Sequence, residues 1–528
     1  MQKVILIILL LIIPAFVSAQ SKSEAERLWE LADKAYKEKR YKEAIYYYEK
    51  SIALCGSDYE CLASNYNGLG ASYEDMGDEN KALYYYEKAI EINRKWGNKE
   101  WLADNLFLAG SIYYRNSIDY NKAYTYLEES RRLYSEIGAK ESLPIVLYEL
   151  GKSARAIGKY EKSISSFNES LKLYKERGDE NSVGANLSQI GMVYSQMGQL
   201  EKALSYFEEA LKIAKKHNNF EGVSIALRQI ADTYCDLHKH DKAISYYQEA
   251  IDIQKKNNLK RELGITLNNL GTMYMDLAQY EKALKNYQEA LKISEEQNDI
   301  PTKATLLNNI GHIYAKLGNT DRAMKYYHQS LELERQLKRP QSLTYVLNNI
   351  GMEYFRVGKY DNAIKYLLEA LEIDKKLNNP HLIGTRLNNI GAVYLKQGKL
   401  KEAEYVFLER KKLEERVKPN RLLHSGLVEV YLKTGRYDEA LKLVNQIPPS
   451  WRDNTSRHIE YYIQVGLALK GKGNLQEAAI NFMNAINLIE DMRQSVTEKG
   501  QFFAGGGYYS RLTPYRAMIS VLSEMAER

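Results

Sequence analysis

Small and large side chains recur along this chain with a period close to 40 residues. Each period contains a small residue, usually glycine, then an aromatic residue three positions later, a small residue twelve positions later and a large one sixteen positions later. Steps of three and four residues place these side chains on one face of a helix. A second glycine, seven positions after the first, separates two such helices, because glycine readily adopts the left-handed conformation that ends a helix. The pattern therefore predicts an all-α chain of helix-turn-helix units.

The first small residue of each unit, here called the repeat position, occurs twelve times. The twelve residues are Ala32, Gly70, Gly110, Gly151, Gly191, Ala231, Gly271, Gly311, Gly351, Gly391, Val428 and Gly466. One such unit cannot bury its apolar face alone, so neighbouring units must stack. We therefore predict a solenoid of about twelve units over residues 20–497, each with a helix A before the turn and a helix B after it.

The order of small and large positions resembles the tetratricopeptide repeat, as in Gly191, Tyr194, Ala203 and Phe207. The resemblance extends from residue 21 to about residue 495, and the 40-residue length is similar to that of kinesin light chain repeats. It implies an α-α superhelix whose concave groove is lined by the A helices. It also implies that the chain is a scaffold that binds a protein or a peptide in that groove and has no catalytic activity of its own.

Side-chain amides recur on the A helices, two residues before the repeat position. The six are Gln189, Gln229, Asn269, Asn309, Asn349 and Asn389, and a second asparagine precedes four of them, at Asn268, Asn308, Asn348 and Asn388. Asparagine is a poor helix former, so its recurrence needs a reason. An amide offers both a donor and an acceptor, which match the backbone of an extended peptide. The alternative is that the amides bond to the neighbouring repeat and fix its angle.

Three cations form a second row, five residues after the repeat position, at Lys316, Arg356 and Lys396. Three successive cations in one groove favour an acidic or carboxylate-bearing ligand. The alternative is a solvated face without a partner.

Composition changes this picture little. The formal net charge is +6, small for 528 residues, and no face is visibly basic, so nucleic acid is not an expected partner. The chain has 44 tyrosines against 10 phenylalanines. The recurring ring positions account for this excess as core residues, so the rings indicate no cofactor site.

Three cysteines are too few for a disulfide scaffold, but Cys55 and Cys61 flank a short loop and form a candidate disulfide. Cys235, His238, His240 and Asp241 are residue types that bind metals. Their spacing crosses a turn, and His238 occupies the usual turn-glycine position, so we expect neither a metal nor a cofactor. We find no catalytic constellation.

The two ends differ from the repeats. Residues 1–19 have a basic start, an apolar run and small residues at Val17 and Ala19, which predict a secretory signal peptide cleaved after Ala19. We therefore expect an exported chain, periplasmic or secreted, without a membrane span after cleavage. Residues 498–528 predict a hinge and a final amphipathic helix.

The segment from Ile489-Glu490 through Phe502-Phe503 to Tyr515 and Leu522 resembles the lead-in to a CHAT domain, which is a caspase-like module. The His/Cys pair of that module is absent from these residues, so no catalytic residue is assigned. Three hypotheses follow: an interaction scaffold, the recognition arm of a CHAT-type peptidase, and the sensor portion of a signalling receptor.

Overall fold

The computed structural model describes residues 22–116, 118–417, 425–446, 455–494 and 511–527. Within these ranges all regular secondary structure is helical, as predicted. The predicted signal peptide and the predicted hinge at residues 498–510 lie outside the described residues. The chain divides into two compact units, one ending at Asn269 and the other beginning at Leu270.

The described helices form twelve consecutive hairpins and one further helix. They are α1 (22–37), α2 (Tyr41–Cys55), α3 (Tyr59–Asp75), α4 (Glu79–Trp96), α5 (Lys99–Arg115), α6 (Tyr120–Ile137), α7 (Leu143–Ala156), α8 (Tyr160–Arg177), α9 (Glu180–Gln196), α10 (Leu200–Lys216), α11 (Phe220–Asp236), α12 (His240–Lys256), α13 (Lys260–Asp276), α14 (Tyr280–Glu296), α15 (Ile300–Lys316), α16 (Thr320–Leu337), α17 (Pro340–Arg356), α18 (Tyr360–Lys376), α19 (Pro380–Gln397), α20 (Leu400–Val417), α21 (Ser425–Lys433), α22 (Tyr437–Val444), α23 (Thr455–Gly471), α24 (Leu475–Gln494) and α25 (Thr513–Glu527). Every predicted repeat position lies on an odd-numbered helix, which is helix A of its hairpin. The boundary between the two units falls inside α13.

In most hairpins, a ring of helix B packs against the repeat glycine of helix A. A Cβ atom on Gly191 would lie only 2.6 Å from Phe207 Cε1, and one on Gly311 would lie 2.8 Å from Tyr327 Cδ1. Both rings are at least 98 % buried. Full burial of an aromatic side chain contributes about 2–3 kcal/mol, so the glycine allows the close approach that makes this burial possible.

A second ring contact, which the sequence analysis did not identify, explains more of the tyrosines. The aromatic residue three positions after the repeat position stacks on the tyrosine that lies fifteen positions after the repeat position. The pairs are Tyr73–Tyr85, Tyr194–Tyr206, Tyr234–Tyr246, Tyr314–Tyr326 and Tyr354–Tyr366, with ring centroids 5.4–5.6 Å apart. A cation from the first turn of helix B also lies over the first ring, as Lys202 does over Tyr194 at 5.4 Å. The cation and the two rings connect helix A to helix B.

The turns between hairpins use paired polar residues. Asn218 adopts a left-handed φ of 53°, and the next residue, Asn219, accepts a hydrogen bond from the Gly222 amide at 2.9 Å. The first asparagine therefore ends one helix, and the second caps the start of the next.

The last helix packs on the preceding hairpin. α25 contacts α23 and α24, and it buries Met518 and Val521. Lys470 connects the layers, because its Nζ lies 2.8 Å from Glu524 Oε1 and donates to Ser520 Oγ at 2.7 Å. The final helix is thus an additional layer of the second unit.

In every repeat whose turn the structure describes, the residue seven positions after the repeat position has a left-handed φ. Gly318 adopts a φ of 77°, whereas Ala278 holds the same position with a φ of 56°. An alanine in this conformation costs about 1 kcal/mol, because its Cβ crowds the following carbonyl.

We expect Ala278→Gly to raise the free energy of unfolding by about 1 kcal/mol, and Gly318→Ala to lower it by a similar amount. A Cβ on Gly318 would meet no atom within 4 Å, so the second substitution tests backbone conformation alone. Urea denaturation followed by circular dichroism measures both. Shifts in the same direction for the two variants would contradict the explanation.

Candidate functional site

The A helices of neighbouring hairpins contact one another in both units. In the first unit α9 touches both α7 and α11, and in the second unit α17 touches both α15 and α19. Adjacent A helices therefore present a continuous surface within each unit, which we call the A-helix face of that unit. The amides and cations singled out in the sequence lie on A helices.

A cavity of about 350 Å³ opens among α7, α9, α10 and α11 of the first unit. Two of the predicted amides, Gln189 and Gln229, line it. Tyr148 of α7 closes one side, and Ile213 and Ile225 give it apolar walls. The structure therefore brings two sequence-predicted residues together around an enclosed space.

Small side chains on three helices create this space. Ala214, near the end of α10, occupies the repeat register in which Gln254 and Asp374 occur later in the chain. A Cβ on Gly222 would lie 3.2 Å from Ala214 Cβ, so glycine is the residue that fits there without displacement. A Cβ on Gly184 would approach nothing closer than 3.8 Å, so this glycine leaves room unused by the protein.

Gln229 presents a buried hydrogen-bond acceptor. Its side chain is 9 % exposed, and its Oε1 has no hydrogen-bond partner in the described chain. An unpaired buried acceptor costs about 1–3 kcal/mol. Gln229 lines the cavity with the rest of its side chain, while this oxygen is closed off from solvent.

Gln189 presents a second acceptor. Its Oε1 is also buried without a partner in the described chain. Burial raises the pKa of the Tyr148 hydroxyl to about 12, and a hydrogen bond from the Gln189 side chain opposes that shift. Gln189 and Tyr148 therefore lie close together in the cavity wall.

The asparagines of the second unit bond to each other. Asn349 Nδ2 donates to Asn308 Oδ1 at 2.9 Å, and Asn389 Nδ2 donates to Asn348 Oδ1 at 2.8 Å. These bonds join α15 to α17 and α17 to α19. These contacts match the alternative interpretation, in which the amides bond to the neighbouring repeat. Contact of the same residues with a ligand stays a prediction.

The remaining amides have other surroundings. Asn269 Nδ2 donates to Asp232 Oδ1 at 3.1 Å, and Asn268 Nδ2 donates to Asn269 Oδ1 at 3.4 Å. Asn388 Oδ1 accepts from Arg410 Nη1 at 2.5 Å. Asn309 is half-buried beside the repeat position of α15.

The three predicted cations lie near the carboxyl ends of α15, α17 and α19, where all three are exposed. Arg356 forms an ion pair with the buried carboxylate of Glu353, with Nη2 2.6 Å from Oε1, and it also donates to Thr320 Oγ1. Its charge is therefore compensated within the protein. Selection of an acidic ligand by Lys316 and Lys396 stays a prediction.

A sequence profile described as tetratricopeptide repeat matches residues 24–95, 182–256, 262–336 and 341–410, which together are more than half of the chain. The chain belongs to the tetratricopeptide repeat family. A second profile of the same description matches residues 145–177, and one described as PPR repeat matches residues 424–448. The search of curated proteins found no match.

Solved structures with similar folds are distant in sequence. One is a STAND (signal transduction ATPase with numerous domains) protein with a tetratricopeptide repeat sensor from Pyrococcus horikoshii, at 19 % identity and a TM-score of 0.45. That alignment covers 68 % of this chain and 53 % of the other. The apo form of the quorum sensor NprR from B. thuringiensis has 16 % identity and a TM-score of 0.45, covering 67 % and 98 %. BtubC (BKLC) from P. vanneervenii has 22 % identity and a TM-score of 0.30, covering 50 % and 94 %.

The cysteines of this tetratricopeptide repeat protein fall into two groups. The structure joins Cys55 and Cys61 in a disulfide, with Cα atoms 5.5 Å apart, between α2 and α3. Their oxidation in the mature protein depends on its compartment and stays a prediction. Cys235 forms no disulfide in the described chain, and its Sγ lies 3.9 Å from the Tyr247 hydroxyl oxygen.

The cluster of Cys235, His238, His240 and Asp241 lies at the turn between α11 and α12. His238 adopts the left-handed φ of 55° that glycine has in sister repeats. In the described part of the chain, no three His, Cys, Asp or Glu side chains lie in an arrangement that would hold a metal ion. No described helix combines the length and the apolar composition needed to cross a bilayer.

Sequence reasoning missed most of the residues that line the cavity, among them Tyr148, Glu180, Gly184 and Glu221. Gly184 carried a usable signal, because a glycine in a helix interior costs about 0.5–1 kcal/mol relative to alanine. The others carried none, because they combine only when three tetratricopeptide repeats are stacked.

We expect Asn349→Ala to lower the free energy of unfolding by about 1 kcal/mol, because it removes the bond to Asn308. Once Asn349 is replaced, Asn308→Ala should lower the free energy of unfolding little further. A double-mutant cycle should therefore give a coupling energy of about 1 kcal/mol between Asn308 and Asn349. Asn286→Ala is the matched control, since Asn286 bonds only to the Lys282 carbonyl of its own helix. Additive effects of Asn308→Ala and Asn349→Ala would show that the pair contributes no inter-repeat energy.

Proposed function

We propose that this protein is an exported scaffold that binds an extended peptide or protein segment on the A-helix face of its first unit, without catalysis of its own. The observation that carries the proposal is the cavity lined by Gln189 and Gln229, whose buried oxygens have no partner in the described chain. Two side-chain amides beside an apolar wall suit a peptide, which brings backbone donors and acceptors as well as apolar side chains.

The dimensions of the A-helix face support a peptide ligand. Neighbouring packed helices are about 8–10 Å apart, so α7, α9 and α11 span roughly 20 Å. An extended octapeptide reaches about 26 Å. Eight residues are therefore enough to cross the three A helices that surround the cavity and to place one side chain in it.

Cavity filling tests this proposal. We expect Gly184→Leu to place a large side chain where the ligand would insert, and to weaken octapeptide binding at least tenfold. Gly384→Leu is the matched control: Gly384 holds the same register on α19, and its Cβ would meet no atom within 4 Å. Both variants exchange a helix-interior glycine for a better helix former, so both should retain their helicity.

The measurement has two steps. A random octapeptide display library is selected on the full chain, and the enriched peptides are titrated by fluorescence anisotropy against the three proteins. Equal affinities for Gly184→Leu and Gly384→Leu would exclude the cavity as the site. A library without any enriched peptide would overturn the proposed function.

Export is proposed from the leader pattern in residues 1–19 and can be tested separately. A chain expressed with its own leader should be recovered outside the cytoplasm with Gln20 as its first residue, as read by amino-terminal sequencing. One thiol of three should react with a maleimide, because Cys55 and Cys61 would be oxidised in that compartment. Ala19→Trp should block cleavage. Recovery of an intact chain with three reactive thiols in the cytoplasm would contradict export.

A further inference from the structure

The charged groups that line the cavity are all acidic. Glu180 and Glu221 line it along with Gln189 and Gln229, and no lysine, arginine or histidine does. Neither glutamate forms an ion pair within the part of the chain that the structure describes. The cavity lining therefore carries two carboxylates without a compensating cation.

The nearby cations are held elsewhere. Arg228 precedes Gln229 on α11, but its guanidinium lies 3.9 Å from the Asp232 carboxylate and does not line the cavity. Lys215, next to the cavity residue Ala214, forms an ion pair with Glu249 at 3.0 Å. The negative charge of the cavity is thus left to the ligand to balance.

The amide of one lining residue is already occupied. Asn219 donates through Nδ2 to Asn181 Oδ1 at 3.0 Å, while its own oxygen accepts from the Gly222 amide. A cationic ligand group would instead meet the carboxylates of Glu180 and Glu221, with no competing cation in the lining.

The walls match the shape of a long side chain with a charged end. Ile213, Ala214 and Ile225 supply an apolar wall, and Glu221 at the start of α11 is exposed at the protein surface. Lysine and arginine bury an apolar stem and keep a charged head near water. Arginine carries five N–H donors and no acceptor.

We propose that this cavity binds an arginine or lysine side chain of the peptide ligand. The inference rests on the proposed function and adds the chemical class of the anchoring residue. It runs opposite to the acidic ligand expected from Lys316, Arg356 and Lys396, which lie on the second unit.

The glutamates also have an ordinary structural role that the test must separate. Glu180 and Glu221 each lie in the first turn of an A helix, where a negative charge stabilises the helix. Glu100 has the same position in α5 but does not line the cavity. Glu100→Gln is therefore the matched control for Glu180→Gln and Glu221→Gln.

Four octapeptide pools test the proposal on the full chain. All peptides are acetylated at the amino end and amidated at the carboxyl end. The fifth position is fixed in each pool as arginine, lysine, citrulline or glutamate, and the other seven positions carry random uncharged residues. We expect the arginine and lysine pools to bind at least tenfold more tightly than the citrulline pool, and the glutamate pool to bind most weakly. Binding of the arginine pool should weaken as salt rises.

The variants locate the effect. Each of Glu180→Gln and Glu221→Gln should weaken binding of the arginine pool about fivefold and leave the citrulline pool unchanged, while Glu100→Gln changes neither. Gln229→Met should weaken the arginine pool and raise the melting temperature, since it removes an unpaired buried acceptor. A merely structural glutamine would lower that temperature.

The outcomes are distinguishable. Equal binding of all four pools would overturn the basic-residue assignment and leave the peptide scaffold intact. Preference for glutamate would also overturn it and would favour an acidic ligand. Absence of binding by every pool would count against both the assignment and the proposed function.

Discussion

The contact between the repeat glycine of helix A and the ring of helix B sets the distance between the two helices of each hairpin. At Gly191 and Gly311 a single Cβ atom would overlap the ring of Phe207 or Tyr327. Because interiors are close-packed, a methyl group added at either glycine would require the ring or one of the helices to shift. The same contact recurs in both units, so the hairpins are near copies of one another, and differences in function must come from the positions between hairpins.

Those positions differ greatly in polarity. Asp374 and Arg386 form an almost fully buried ion pair between α18 and α19, with Nε 3.0 Å from Oδ2. Burial raises the pKa of Asp374, and the adjacent guanidinium opposes this shift. At the corresponding place between α10 and α11, Ala214 leaves a cavity instead. The same position of the repeat therefore holds a buried ion pair at Asp374 and leaves a cavity at Ala214.

The amides show how a regular pattern divides in three dimensions. Asn308, Asn349 and their neighbours pair with each other, whereas Gln189 and Gln229 keep unpaired oxygens at the cavity. Glutamine has one more methylene than asparagine, but the deciding difference is the partner offered by the adjacent helix. A paired amide stabilises the stack, and an unpaired buried one costs stability unless another molecule supplies the donor.

The sequence by itself determined the helices, the twelve hairpins and the left-handed turns. These features depend on residues within about 20 positions of one another, so a period of three and four residues reveals them. It also contained the ion pair of Arg356 with Glu353, three residues apart on one helix, which the reasoning overlooked. Only the tertiary structure decided which amides are paired and where the cavity lies. Asn269, Asn349 and Asn389 receive their partners from residues 37–41 positions away. The cavity needs Gly184, Ala214 and Gly222 to be small together on separate helices.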